Sequence, residues 1–355
     1  MLTKVSLINF RNYTEAGANV GADLVLILGP NASGKTNFLE SIYYLSRLKS
    51  FRAPDNLLVK SQEDYFKIEA VYDSRKLEII TQLMPRVARQ YKIDEQKIRK
   101  LNWKTFSTVL FVPQDLNMFD LGPSLRRKFL NQTLSQINME YALDIVTLEH
   151  VLKQKSALFG QILEGRAQRS DLEIWNQELA RVSISINRAR KQFTQFLNNS
   201  LNQVYADLSD FQSHLFIVYK GIEAETTDEF LEKLAKYHEA EIRSGQNLYG
   251  PHRDDFIVEK DGKENIYNSS RGELRAQILA LKLLQAKYLD AHKHKTIILL
   301  DDVFSELDET RRSKLISSLS GHQIFITTTE EHHLPKFEGD IKILNIESDQ
   351  IKTAK

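Results

Sequence analysis

Cysteine is absent from all 355 residues. That excludes disulfides and cysteine-ligated zinc, and it suits a reducing cytosol. No apolar run approaches the ~20 residues that a membrane span needs. The opening MLTKVSLINFRNY has no basic start, apolar stretch or small-residue cleavage site of a secretory leader, and it reads as a strand. Charge of one sign is also missing. With 48 Lys and Arg against 47 Asp and Glu, the net charge is +1, so affinity for nucleic acid must come from local patches. No His/Asp cluster is left over for a nuclease metal site, and no base-reading motif is visible. What is present is 42% hydrophobic and 27% charged residues, an ordinary globular composition in a chain long enough for two domains.

Periodicity divides the chain. LTKVSLI alternates as a half-buried strand, DLVLILG is a buried strand ending in Gly, and KTNFLESIYYLSRL has helical spacing. YFKIEAVY and KLEIITQLM read as a hairpin turning through Asp73 and Ser74. Residues 122–240 are helical, with few Gly and Pro. Within them Leu172, Trp175, Leu179, Val182, Ile186, Ala189, Phe193 and Phe196 step by 3 and 4 as an a/d seam. Ser170 and Glu173 suit a capping box at its start. Tyr141, Ile145, Leu148, Leu152, Phe159 and Ile162 keep the same register upstream, interrupted by Lys155. The pattern predicts an antiparallel helical arm on the order of 40 Å long; two ordinary core helices of a bundle give the same spacing. DDFIVEKDG, GELRAQILALKLLQAKYLDAH, KTIILLDD, ETRRSKLISSL and QIFITTT then alternate strand and helix. The expectation is an α/β head, residues 1–121 plus 241–355, split by a helical insertion at 122–240.

GPNASGKT, Gly29 to Thr36, fits G-x-x-x-x-G-K-[ST] between a strand and a helix. Backbone N–H groups of Gly29, Pro30 (which lacks one), Asn31, Ala32, Ser33 and Gly34 form the phosphate cradle, extended by Lys35, Thr36 and Asn37. Lys35 neutralises β/γ oxygens and Thr36 supplies a hydroxyl to Mg²⁺. TIILLDD ends in two carboxylates: Asp301 suits the Mg²⁺ and Asp302 can orient or deprotonate the attacking water. Asp302 is one methylene shorter than Glu, which predicts slow hydrolysis. Gln114, in FVPQD, is a candidate to sense the metal and the water.

A second small-residue turn, SSRGELRAQ, opens a helix, and a helix N-terminus favours anions. Ser270 and Gly272 match the Leu-Ser-Gly-Gly-Gln turn of ABC-type ATPases, whereas Arg271 and Glu273 depart from it. SELD, Ser305 to Asp308, is similar to the D-loop of that group. No His ends the strand ITTT, where transporters place a switch His; Thr328 or Thr329 would have to serve, with His332 and His333 close by.

With LINFRNY, GPNASGKTNFLESIYYL, KSFR, VPQDL, GPSLRRKFL, YGPHRDDF, SSRGELRAQ and LLDDVFSELD, the chain resembles, from end to end, the RecF family of bacterial recombination mediators. These are relatives of the SMC-type ATPases without the long coiled coil. The resemblance implies a P-loop ABC/SMC-type ATPase head that binds ATP and Mg²⁺ and forms an ATP-dependent homodimer. The dimer would act on duplex, gapped or junction DNA, with RecR and, where the cell has it, RecO, to place RecA on single-stranded gaps. Slow hydrolysis would release the dimer, in the cytoplasm at the nucleoid, with no membrane partner. Lys35, Thr36, Asp301 and Asp302 would act in cis; Ser270, Arg271, Gly272 and Asp308 would act in trans. Arg11 and Asn12 would lie near the base or the α-phosphate. Another SMC-like DNA-associated ATPase, a transport cassette and a scaffold with negligible hydrolysis are the alternative readings.

Basic clusters are the candidates for DNA. Between Arg86 and Lys104, seven cations (Arg86, Arg89, Lys92, Lys97, Arg99, Lys100, Lys104) stand against Asp94 and Glu95. Arg126, Arg127 and Lys128 form a second cluster; Arg188, Arg190 and Lys191 form a third. Such clusters bind phosphate with little sequence preference and strong salt dependence; a solvated basic face has the same look. By fluorescence anisotropy, duplex affinity is expected to rise with ATP and fall steeply with salt. Equal affinity for wild type and Ser270→Arg would contradict an ATP-gated clamp.

Overall fold

The computed structural model describes residues 1–355 other than 104, 210–212, 293–294, 331–335, 348–349 and 354–355. Its order is β1 (Leu2–Phe10), β2 (Tyr13–Asn19), β3 (Leu24–Leu28), α1 (Lys35–Arg47), β4 (Tyr65–Tyr72), β5 (Arg75–Gln82), β6 (Ala88–Ile93), β7 (Gln96–Ile98) and β8 (Ser107–Phe111). Helices α2 (Pro123–Ile137), α3 (Met139–Leu163) and α4 (Glu173–Leu208) follow, then β9 (Leu215–Lys220), α5 (Thr227–Ala235), α6 (His238–Ser244), β10 (Asp255–Lys260) and β11 (Lys263–Glu264). The chain closes with α7 (Arg271–Ala291), β12 (Thr296–Asp301), α8 (Glu309–Ser318), β13 (Gln323–Thr328), β14 (Ile341–Glu347) and β15 (Gln350–Thr353). Two compact units result: Met1–Asp115 with Gln285–Lys355, and Leu116–Leu284.

The first unit holds two six-stranded sheets. The continuous apolar runs lie in a mostly parallel sheet, ordered β15-β14-β3-β13-β12-β8, with β15 added antiparallel at its edge. Every residue of β12 and β13 is buried. The alternating segments become the antiparallel sheet β2-β1-β4-β5-β6-β7. Its outer face carries a charge ladder: Lys67 pairs with Glu69 and Glu78, and Lys92 pairs with Glu78. One core joins both sheets and α1, built around Phe10, Phe38, Ile42, Tyr44 and Phe66. The expected hairpin is present: Asp73 and Ser74 both take left-handed backbone (φ 46° and 65°) between Tyr72 and Arg75.

In the second unit α3 and α4 pack together, and α4 runs 36 residues, about 54 Å at the usual helical rise. The arm does not stand alone on an a/d seam. Trp175, Ala189 and Phe196 are only half-buried, while Ser183, Asn187, Arg190 and Thr194 between the seam positions are buried. The buried face is therefore broader than a two-stranded seam, as in a helix of a packed subdomain. Lys155, which interrupts the pattern, is fully buried and paired with Glu241 at 3.1 Å. The capping box also lies elsewhere. Gln168 and Asp171 make it reciprocally, opening a 3-10 turn at Arg169–Leu172 that leads into α4.

Residues 241–284 belong to this unit, so the division falls at 115/116 and 284/285 in place of the expected 121/122 and 240/241. The cause is tertiary: Glu241 holds Lys155, Asn247 Nδ2 donates to the Leu152 carbonyl at 3.0 Å, and β10 pairs antiparallel with β9. At the centre Arg190, 1% exposed, donates to Asp254 Oδ2 (2.7 Å), the Pro251 carbonyl (2.8 Å), the Tyr141 hydroxyl (3.1 Å) and Asn131 Oδ1 (3.0 Å). Burial works against its charge, but Tyr141, Tyr219 and Asp254 outweigh that and keep it protonated.

Removing one partner of such a pair leaves the other charged and buried. Arg190→Met is expected to lower stability by about 3–5 kcal/mol, and Arg190→Met with Asp254→Leu to recover much of the loss. Urea unfolding with an unchanged m-value checks this.

Candidate nucleotide site

Strand β3 ends at Leu28, and the turn Gly29–Gly34 opens α1. Gly34 caps the helix with φ 113°, a conformation side chains rarely adopt. A Cβ there would lie 2.7 Å from Asn12 Nδ2 and 2.8 Å from the Tyr13 hydroxyl. That hydroxyl donates to the Gly34 carbonyl at 3.0 Å, so the end of β1 and the start of β2 brace the turn. Pro30, Asn31 and Ala32 are exposed, Ser33 is buried, and the Ser33 hydroxyl has no hydrogen-bond partner. An anion seated in the turn would supply one. Lys35 Nζ donates to the carbonyls of Gly29 (2.7 Å) and Pro30 (2.9 Å). Burial pushes the Lys35 ammonium below the ordinary lysine range, while Asp302 and Asp301 pull it back up.

Thr36, one residue into α1, donates to Asp301 Oδ1 at 2.8 Å. Thr327 on β13 donates to the same oxygen, also at 2.8 Å. The Thr327 hydroxyl in turn accepts from the Asp302 N–H at 2.9 Å. Asp302 is exposed, with φ 53°, and caps the turn Val303–Glu306. These donors are all oxygen, the set Mg²⁺ takes from a protein when substrate phosphates complete its shell. Among the described residues no cluster of three or more carboxylates and histidines offers a rival metal site.

Beside the turn lies a cavity of about 470 Å³ lined by Arg11, Asn12, Asn37, Arg52, Ala53, Leu57 and Val59. Asn37 Nδ2 donates to Asn12 Oδ1 (2.6 Å), and Asn12 Nδ2 reaches the Ser33 carbonyl (3.4 Å). Arg11 and Arg52 both bond to the buried Glu40.

The second turn is self-contained. Ser270 N–H donates to Glu273 Oε2 (2.8 Å), and Glu273 N–H donates to Ser270 Oγ (3.3 Å), a reciprocal capping box at the start of α7. Glu273 also takes Lys260 at 2.5 Å. The Glu that departs from the transporter pattern thus fixes the turn. Arg271 is exposed and Gly272 half-exposed. Asp308 caps α8, accepting from Arg311 N–H at 2.8 Å. Gln114 is exposed in a 3-10 turn after β8.

The family model for the RecF/RecN/SMC N-terminal domain matches residues 1–352. Relatives named DNA replication and repair protein RecF include that of Moorella thermoacetica, 35% identical over 94% of this chain and 91% of its own. That of Lysinibacillus sphaericus is 33% identical over 92% of each chain. The chain belongs to the RecF family. The solved structure of the recombination mediator protein RecF-ATPrS in the RecFOR pathway superposes with TM-score 0.90 at 28% identity, over 100% of this chain and 98% of that one. An Smc head bound to the C-winged helix domain of ScpA gives 0.54 at 12% identity over 99% and 96%, which shows the shared fold alone.

The segments GPSLRRKFL and GPHRDD meet through paired charges. Arg126 of GPSLRRKFL is 7% exposed and bidentate to Asp255 of GPHRDD (2.6 and 2.9 Å); Arg127 donates to the Asp254 carbonyl at 2.9 Å. Arg126 is therefore no DNA contact, and Arg190 of the third cluster is equally committed. Arg89 pairs with Asp55 at 2.7 Å and Lys92 with Glu78. Arg86, Lys97, Arg99 and Lys100 are exposed, and among the described residues they make no ion pair. Lys104, His332 and His333 lie outside the described residues.

Sequence reasoning passed over Thr327, Glu40 and Arg52. Thr327 directly precedes the expected Thr328 or Thr329; the Thr328 hydroxyl donates instead to the Glu330 carbonyl at 3.3 Å. Calorimetric titration separates the two threonines. Thr327→Val is expected to weaken Mg²⁺-dependent nucleotide binding about tenfold, the worth of one charge-assisted hydrogen bond, and Thr328→Val to leave it near wild type.

Proposed function

We propose that this chain is an ATP-dependent, DNA-binding recombination mediator whose nucleotide gates dimerisation. The carrying observation is the convergence of Thr36, Thr327 and Asp301 at the mouth of the Lys35 turn. The ATP-bound relatives in the RecFOR pathway support the same reading.

In this account Lys35 and the N–H groups of the turn hold the phosphates, and Lys35 is released from its carbonyl ligands to do so. Thr36 and Asp301 hold Mg²⁺, which neutralises charge developing on the phosphate oxygens. Asp302 follows the strand end on left-handed backbone. It orients water and takes a proton from it. Its short side chain makes turnover slow. The turn at Ser270 receives the γ-phosphate held by a second copy, with Arg271, Gly272 and Asp308 of that face beside it. Exposed Arg86, Lys97, Arg99 and Lys100, with Arg127, supply DNA phosphate contacts, and RecR and RecO act with the DNA-bound dimer to load RecA. Among the described residues no helix is long and apolar enough to cross a membrane, and the proposed partners are soluble.

Mixing two inactive variants tests the composite site. Lys35→Arg retains a good second turn, and Ser270→Arg retains a good phosphate loop. Mixed, they form dimers with one intact site of two, so ATP turnover is expected to reappear. Continued inactivity of a mixture that does dimerise would contradict action in trans.

A further inference from the structure

The turn from β5 to β6, Leu83–Val87, carries apolar carbon into solvent. Met84 and Val87 are each 59% exposed, and Pro85, Arg86 and Ala88 are exposed with them. None of these residues joins the core of this unit. A single apolar side chain at a surface needs no explanation, but a run of them in one turn marks a contact.

The turn is held at its base. The Leu83 N–H donates to the Asp64 carbonyl at 2.7 Å, and Gln82 Nε2 donates to the Met84 carbonyl at 2.7 Å. Gln82 and Ala88 face each other as the last pair of the ladder. A tip so fixed loses little freedom when it meets a ligand.

Cations surround it. Arg86 lies within the turn. Ile98 is opposite Tyr91 on β6, so Arg99 and Lys100 continue from β7 toward the same end of the sheet. All three are exposed. The nearby acids are mostly engaged: Asp55 takes Arg89 at 2.7 Å, and Glu63 Oε2 accepts from Asn9 Nδ2 at 3.0 Å. Asp64 is exposed at the base of the turn, and the three cations outnumber it.

Cations alone would suit any phosphate. Apolar side chains among them call for a ligand with anionic edges and flat apolar faces inside, as duplex DNA has. Met and Pro are among the side chains that enter base steps from the minor groove, unstacking them while Arg lies in the groove. A lipid surface also joins anionic and apolar layers, but binding there grows with the apolar area buried. A turn this short offers little area, whereas a wedge needs only one base step.

We propose that the tip Met84–Val87 is a duplex wedge. Met84, with Val87 beside it, enters a base step, and Arg86, Arg99 and Lys100 hold the flanking phosphates. The proposal rests on the reading that this chain binds DNA. It adds a preference to that reading: unstacking costs least at a step that is already mismatched, so such a step is the favoured seat.

The test titrates the full chain, with ATP and Mg²⁺, against a perfect duplex and the same duplex with one central mismatch. A 2-aminopurine at the central step of each brightens on unstacking. Wild type is expected to bind the mismatched duplex about tenfold more tightly and to brighten both. Met84→Ser with Val87→Ser is expected to bring the two affinities within about twofold and to leave the probe dark. Its unfolding midpoint and salt dependence should match wild type, since both side chains are exposed. Arg99→Gln with Lys100→Gln should weaken both duplexes alike and lower the salt slope by about two. Wild type with no preference and no brightening overturns the proposal. So does a serine variant that weakens both duplexes alike with a lower salt slope, which would make the tip a backbone contact. A serine variant that keeps its DNA behaviour but no longer binds vesicles of equal parts phosphatidylcholine and phosphatidylserine overturns it in favour of a lipid surface. Wild type that binds neither duplex overturns the DNA-binding reading beneath it.

Discussion

One carboxylate oxygen ties the nucleotide site together. Asp301 Oδ1 accepts from Thr36 at the start of α1 and from Thr327 on β13. The phosphate loop, the middle strand and the carboxylate strand are thereby held at one point. The register of the parallel sheet sets this up: Thr327 lies opposite Asp301 on one side and Ile27 on the other. A shift by one residue would turn Thr327 away and present an apolar face. With Asp301 held between two hydroxyls, the next carboxylate, Asp302, is set apart on left-handed backbone, its N–H returned to Thr327. Adjacent aspartates thus receive different surroundings and different work.

The second unit is organised by buried charge. Arg126 with Asp255, Arg190 with Asp254, and Lys155 with Glu241 each bring a cation and an anion from distant parts of the chain into one interior. Such pairs add little net stability over apolar packing, yet each strongly disfavours structures in which one partner is buried alone. They specify which helix meets which strand. That accounts for the inward-facing members of sequence segments rich in Arg and Asp.

What the sequence made legible followed local rules. The phosphate loop, the carboxylate-ended strand β12, the hairpin at Asp73–Ser74 and helices α1, α7 and α8 rest on period, spacing and turn chemistry, which neighbouring residues carry. What escaped was tertiary. A cluster of basic letters does not show that Arg126 and Arg190 face inward toward carboxylates far along the chain. Steps of 3 and 4 do not distinguish a seam from a broad buried face, and Ser170–Glu173 lost to Gln168–Asp171 because a 3-10 turn precedes α4. Strands β2, β6 and β7 are paired within the antiparallel sheet, and their sequences carry little marked strand propensity. Glu40 looked like any polar residue on an amphipathic helix; only its two arginines, 29 and 12 residues away, mark it.

The turn at Ser270 remains the feature on which the functional account depends, since a phosphate loop alone would suit many enzymes. Its reciprocal cap with Glu273 preforms a helix N-terminus, and the account brings to it a phosphate from another copy. Light scattering during size exclusion measures this directly. With saturating ATP and Mg²⁺ the account predicts a shift from 41.1 kDa to twice that mass for wild type and no shift for Lys35→Arg. A wild-type chain that stays at the monomer mass with ATP and DNA present would contradict it.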